Sequence, residues 1–259
     1  MTRHIPTESI ENFRDFGGYD TACGRGLKRG VLFRSANHAY ATPEDLAVMR
    51  DLGIRHIVDL RRQVERGREP SRRWEGFDGA VIENDIDADH HVDWAVAMQE
   101  AGDIDARWFW EDSLGFYRRA PYERRHIDLF ARYFQALADG EGAILVHCAA
   151  GKDRTGMICA FTHHIAGVHR DDLLADYLAT NDESRIAART GFLGPWIAGL
   201  TGKTVADDAL RVAVSVHEAY LAEAFAAIDE AHGSLDRYLE AALGVDAAMR
   251  DRIAARILA

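Results

Sequence analysis

Cysteine is scarce in this chain: Cys23, Cys148 and Cys159 are the only three among 259 residues. An odd, scattered set without paired spacing argues against a disulfide framework and for a reducing compartment. A cytoplasmic location is therefore expected, although composition does not speak to leaderless export. Long apolar runs are missing too. Nothing approaches about 18 consecutive apolar residues, so no membrane span is expected. The start, Met1-Thr2-Arg3-His4-Ile5-Pro6, lacks the apolar core of a Sec-type signal. Positive charge is in the minority, 31 Lys and Arg against 42 Asp and Glu, for a net charge of -11. That balance argues against non-specific nucleic-acid binding and a generally basic membrane surface. Repeats, low-complexity tracts and clear linkers are also lacking, so a single domain over residues 1–259 is expected.

What is present is a full hydrophobic complement, 47% of the chain, patterned as strands and helices in alternation. Residues 1–30 read as irregular, with Asn12-Phe13-Arg14-Asp15-Phe16-Gly17-Gly18 as a turn whose simplest reading is a loop with a surface ion pair. Val31–Arg34 reads as a strand. Thr42-Pro43-Glu44-Asp45 is a strong helix start, and Gly53 suits its end. Ile54–Leu60 follows as a buried strand, and Ala80–Glu83 as another. Between them, residues 61–73 carry six arginines and two glutamates, either a solvated face or a rim that attracts an anionic substrate. Residues 92–118 read as helical and rich in aromatics, and 121–139 as a helix beginning at Pro121. Beyond the loop described next, helices are expected over 155–167, 171–180, 205–231, 234–243 and 246–258. Strands separated by helices imply an α/β core with a parallel sheet, to which the C-terminal third, 205–259, adds helices.

One stretch concentrates the chemistry. The apolar run Ala143–Val146 leads into His147-Cys148-Ala149-Ala150-Gly151-Lys152-Asp153-Arg154-Thr155-Gly156, and a helical pattern leaves it. A helix N-terminus presents free N–H groups and the positive end of its dipole, a ready anion site. A thiol placed there, beside Lys and Arg, is favoured as the reactive thiolate. Phosphoryl transfer to a protein nucleophile needs that thiolate, donors for the phosphoryl oxygens, an acid for the leaving group and a base for water. Cys148 is the candidate nucleophile. The backbone from Ala149 through Ala150, Gly151 and Lys152 to Arg154 would cradle the phosphate, with Gly151 letting the chain curl. Arg154 would clamp two oxygens, Lys152 would add charge at the rim, and the Thr155 hydroxyl could donate to the thiolate. For the acid, Asp153 is close at hand, while Asp85 or Asp87 could swing in from the loop after a strand. Asp59, at the end of a buried strand, is better suited to orienting arginine or backbone groups. The acidic run Asn84–His91 could in principle ligate a metal, but it has no defined ligand spacing, so neither metal nor cofactor is expected. Two rivals stand beside a phosphatase: a phosphate-binding module without turnover, and a sulfurtransferase, which also places a cysteine in an anion-binding loop.

His147-Cys148, five residues, then Arg154-Thr155 resembles the signature loop of the cysteine-based protein tyrosine phosphatase superfamily. The full run 147–156 is similar to that of its atypical bacterial tyrosine/phosphoinositide phosphatases. Asn12-Phe13-Arg14-Asp15, Leu32-Phe33-Arg34-Ser35, Leu52-Gly53-Ile54 with Asp59-Leu60-Arg61, Ala175-Asp176-Tyr177-Leu178 with Asn181-Asp182, and Ile228-Asp229-Glu230 with Gly233-Ser234-Leu235 look like landmarks of that group. The resemblance implies a metal-independent phosphocysteine mechanism on a four- or five-stranded sheet flanked by helices. It implies Cys148 as nucleophile, Arg154 as phosphate clamp, and Lys152 with Asp153 as subgroup residues. The lysine goes with dual activity on phosphotyrosine and phosphoinositides. The implied partners are phosphorylated proteins or phosphoinositides. It also implies a helical lid, for which residues 92–125 are the candidate. The chain departs from the wider superfamily in having no obvious Trp-Pro-Asp acid loop, and 84–91 has no clear counterpart.

Overall fold

The computed structural model describes residues 3–87 and 94–259. Five strands form one sheet: β1 (Arg14–Asp15), β2 (Leu32–Ser35), β3 (Ile54–Asp59), β4 (Ala80–Ile82) and β5 (Ala143–His147). Their order is β1-β2-β5-β3-β4, and β1 alone runs antiparallel to its neighbour. The architecture is thus α/β with a mostly parallel sheet flanked by helices. The first helices are α1 (Pro43–Asp51), α2 (Gln63–Arg68), α3 (Trp94–Glu100), α4 (Ala106–Arg119) and α5 (Arg124–Asp139). After β5 come α6 (Asp153–Ala166), α7 (Arg170–Leu178), α8 (Glu183–Thr201) and α9 (Asp207–Val214). The chain ends on α10 (Glu218–His232), α11 (Leu235–Leu243) and α12 (Ala247–Ile257).

The central strand explains why its sequence is apolar throughout. Successive side chains of a strand point to opposite faces. Ile144 and Val146 enter the larger core with α5, α6 and the last three helices, while Ala143 and Leu145 enter a second core that includes Met49 of α1. A third cluster lies away from the sheet. It joins Met98 of α3, Phe109 of α4, Ile197 of α8 and Leu210 of α9. These four helices form a layer of their own, and α4 also packs on α10 through Trp110 and Tyr220, ring centroids 4.9 Å apart.

Local signals held where capping chemistry was strong. The Thr42 hydroxyl accepts from Asp45 N–H at 3.1 Å, the Asp45 carboxylate accepts from Thr42 N–H at 3.2 Å, and Gly53 takes a φ of 67°. Several expectations are corrected. Residues 92–118 are not one helix: the chain breaks between α3 and α4, and Asp105 caps α4 by accepting from Trp108 N–H at 2.8 Å. Pro121 lies in a short 3-10 turn, and the regular helix begins at Arg124. The expected helix 205–231 is two helices. Asn181 holds Val216 extended between them, accepting from its N–H and donating to its carbonyl, each at 2.8 Å. Helix α8 was not foreseen; Pro195 and three glycines obscured it. Arg14 and Asp15 are buried, not a surface ion pair, because Arg14 pairs with Asp176 rather than with its neighbour. Among the described residues, no helix is long and apolar enough to cross a membrane.

Candidate active site

Strand β5 sits between β2 and β3, and its C-terminal end delivers Cys148 into a loop that closes on the N-terminus of α6. The crevice beyond the carboxyl ends of parallel strands is where such sheets place ligands. The loop is held from outside by its carbonyl groups. Asn37 donates to the Ala149 carbonyl through its backbone N–H at 3.1 Å and its side chain at 3.2 Å. The Asn12 side chain donates to the Gly151 carbonyl at 2.7 Å, as does Arg34 at 3.0 Å. Gly151 has a φ of 62°, and a Cβ there would stand 2.4 Å from the Ser35 carbonyl oxygen, so only glycine fits the turn. With the carbonyls tied outward, the backbone N–H groups from Ala149 to Thr155 have no acceptor among the described residues. Together they make an anion cradle at a helix N-terminus.

Beneath the loop lies a buried ion-pair triad. Asp176 of α7 takes Arg14 Nε at 3.1 Å and Arg34 Nη1 at 2.7 Å. Burial alone would raise the Asp176 carboxyl, but the two guanidinium groups outweigh it and hold the group well below the usual carboxylate range. Beside the triad, Gly156 lets Tyr177 approach: a Cβ there would lie 2.8 Å from the tyrosine ring.

Cys148 is buried, 2% exposed, at the start of the loop. Arg154 follows on the first turn of α6. Its two Nη atoms bind both Glu65 oxygens, at 2.7 and 2.8 Å, and Nη1 also donates to the Leu60 carbonyl at 3.2 Å. Burial would lower the guanidinium, but Glu65 dominates and keeps it charged beyond its ordinary range. Burial likewise opposes the Glu65 carboxylate, and Arg154 overrides that and holds it well below its ordinary value. This bidentate geometry fixes the guanidinium plane before any substrate arrives. Behind it, burial pushes the Asp59 carboxyl up, yet His147 and Arg61 bring it down to about 2. Asp59 binds Arg61 through both oxygens, at 2.9 and 2.7 Å, the orienting role its position suggests. Arg125 donates to the same Leu60 carbonyl as Arg154, at 3.1 Å. A buried cradle of free N–H groups, a thiol and a preset guanidinium can bind a tetrahedral dianion and attack it.

The family model for the tyrosine phosphatase family matches residues 5–259. The chain belongs to the tyrosine phosphatase family. Its relatives carry the same activity in their names. A protein named a tyrosine-protein phosphatase from Cupriavidus necator is 33% identical over 250 residues, 95% of this chain and 86% of that one. The triple specificity protein phosphatase PtpB of Mycobacterium tuberculosis is 32% identical over 275 residues, covering 93% of this chain and 94% of that one. A shorter match, 28% over 150 residues, reaches a tyrosine-protein phosphatase of Nostoc commune.

Within this tyrosine phosphatase, the sequence-predicted residues divide. The loop residues from Cys148 to Thr155 come together around the cradle. The Thr155 hydroxyl is fully buried and has no hydrogen-bond partner among the described residues. Lys152 departs from the expected position at the rim. It is 7% exposed, and its Nζ donates to the carbonyls of Ala213 at 2.7 Å and Ser215 at 3.1 Å, at the C-terminal end of α9. There the ammonium meets the negative end of the helix dipole. Asp153 lies at the mouth of the loop, with Oδ1 accepting from the Tyr117 hydroxyl at 3.1 Å and Oδ2 3.6 Å from Lys152 Nζ. Asp85 is exposed and bound by Arg66, and Asp87 is exposed. Asp89, His90 and His91 lie outside the described residues. The arginine run does not act as one face: Arg61 is buried on Asp59, whereas Arg68, Arg72 and Arg73 are exposed. Sequence reasoning missed Glu65, counted only as a charge, and Tyr117, counted only as an aromatic. The Arg62-x-x-Glu65 spacing held a trace of the first, since Glu65 also caps α2 by accepting from Arg62 N–H at 2.8 Å.

Proposed function

We propose that the protein hydrolyses phosphate monoesters through a phosphocysteine at Cys148. Phosphotyrosine proteins are its main substrates, and phosphoserine, phosphothreonine and phosphoinositide monoesters are further ones. The observation that carries this reading is the cradle of unpartnered N–H groups between Cys148 and Arg154. The Cys148 thiolate attacks phosphorus, the S–P bond forms and the P–O bond to the leaving group breaks. Asp153 gives its proton to the departing oxygen. Water then attacks the phosphocysteine, the resulting Asp153 carboxylate takes a proton from that water, and phosphate leaves as the thiolate is restored. Arg154 and the loop N–H groups follow the charge of the equatorial oxygens through both steps. Thr155 is the group available to donate to the departing thiolate. Lys152 contributes through its N–H and its field, since its ammonium is engaged by α9. The name of the mycobacterial relative supports a broad substrate panel.

Metal-independent hydrolysis of aryl phosphates, inhibited by vanadate, should vanish in Cys148→Ser. Full activity in that variant would overturn the reading. Binding of phosphopeptides by the native protein without any turnover would instead favour the binding-module alternative. A panel of phosphotyrosine, phosphoserine and phosphothreonine peptides with mono- and polyphosphorylated inositol lipids ranks the substrates.

A further inference from the structure

Helix α4 and helix α7 meet at two buried tyrosines whose role the loop chemistry does not use. Tyr117 and Tyr177 have their hydroxyl oxygens 2.8 Å apart, and Tyr117 reaches Asp153 Oδ1 at 3.1 Å. Their rings are 0% and 1% exposed. Burial, reinforced by the Asp153 charge, pushes both phenols well above their usual range, so each keeps its proton. That settles the direction of the chain. A carboxylate oxygen only accepts, so Tyr117 donates to Asp153, and Tyr177 donates to Tyr117. Tyr177 is itself fixed by its seat over Gly156 and by its neighbour Asp176, which clamps Arg14 and Arg34.

We propose that Tyr117 is a positioning residue: its hydroxyl, set by Tyr177, holds Asp153 in the orientation from which it protonates the leaving group. With Oδ1 occupied as an acceptor, the transferable proton belongs on Oδ2. The seat of α4 against the loop thereby decides whether the acid is in place. This inference rests on Asp153 being the proton donor.

The test is a leaving-group series of aryl phosphates with Tyr117→Phe, Tyr177→Phe, Asp153→Asn and the Tyr117→Phe/Asp153→Asn double variant. Each tyrosine change keeps the ring. The double change Tyr117→Phe/Tyr177→Phe removes both hydroxyls and leaves neither orphaned, which guards against a folding defect. Tyr117→Phe should lower kcat on phenyl phosphate about tenfold, the worth of one hydrogen bond, and change kcat on 2,4-dinitrophenyl phosphate less than about twofold. Tyr177→Phe should show the same pattern more weakly. In the Asp153→Asn background the Tyr117 change should have no further effect, because both act on one proton. Equal losses with good and poor leaving groups, or full additivity with Asp153→Asn, would overturn the Tyr117 proposal alone. If Asp153→Asn itself is indifferent to the leaving group, the assignment of Asp153 falls and takes this proposal with it, while the roles of Cys148 and Arg154 stand.

Discussion

The phosphate loop and the helical layer of α3, α4, α8 and α9 are built by opposite means. The loop is held by polar bonds from residues distant in sequence, Asn12, Arg34 and Asn37, and the buried triad on Asp176 supports it. The layer is held by apolar packing around Phe109, Ile197 and Leu210, and it leaves Val96 and Phe192 exposed at 44% and 65%. The two meet at neighbouring loop residues, Lys152 against the end of α9 and Asp153 against Tyr117. Polar bonds between fixed partners specify one geometry, as a reacting site needs. Apolar contacts tolerate sliding and repacking.

Acid should break the loop side first, with the largest effect. His38, His126, His147 and His163 are buried, and burial lowers each, His126 to about 3. The layer, residues 94–119 and 183–214, contains no histidine. In the unfolded chain these imidazoles take up protons below about pH 6.5, while in the folded protein they do so only at lower pH, so stability falls as pH drops. Each contributes at most about 1.4 kcal/mol per pH unit. The depressed carboxyls of Asp59, Glu65 and Asp176 contribute stability that is lost only lower, as pH falls below about 4.5. Urea midpoints at pH 7.5, 6 and 5 should therefore decline steadily, and a flat profile would contradict the buried neutral histidines.

Two substitutions sharpen the contrast. Asp176→Asn leaves Arg14 and Arg34 buried without a counter-charge and should cost about 3–5 kcal/mol, read by urea unfolding. A comparably small loss would mean that the triad is a lesser support than its geometry indicates. Arg154→Lys keeps the charge but loses the planar fork that Glu65 presets. It should lower kcat about 100- to 1,000-fold with little change in stability, measured on an aryl phosphate.

The same contrast governs what could be read in advance. The thiol, the arginine and the small residues of the loop lie within one short stretch, so chemistry and local backbone could be inferred together. The parallel sheet followed from strands that alternate with capped helices. The loop's outer supports were another matter: Asn12, Arg14 and Asp176 stood out as motifs, but nothing local tells that residues 162 positions apart share a salt bridge. Glu65 escaped for the same reason. In the layer, α8 contains Pro195 and three glycines, so propensity argued against a helix that packing with α9 and α3 supports. The break at Ser215–His217 depended on Asn181, another distant partner.

The smallest expected effect tests whether the two regions are energetically joined. Lys152→Met keeps most of the side-chain volume and removes the ammonium that binds the Ala213 and Ser215 carbonyls. Water can satisfy those carbonyls if α9 lifts slightly, so the loss in global stability should be about 1 kcal/mol. The local effect should be clearer. Amide hydrogen exchange in α9 and the facing part of α8 should speed up, while β5 and the first turn of α6 keep their protection, because the loop's tethers to Asn12, Arg34 and Asn37 are untouched. Equal acceleration in both regions would show that the loop depends on the layer for its shape. Unchanged exchange in α9 would show that the apolar cluster holds the layer without the loop's help.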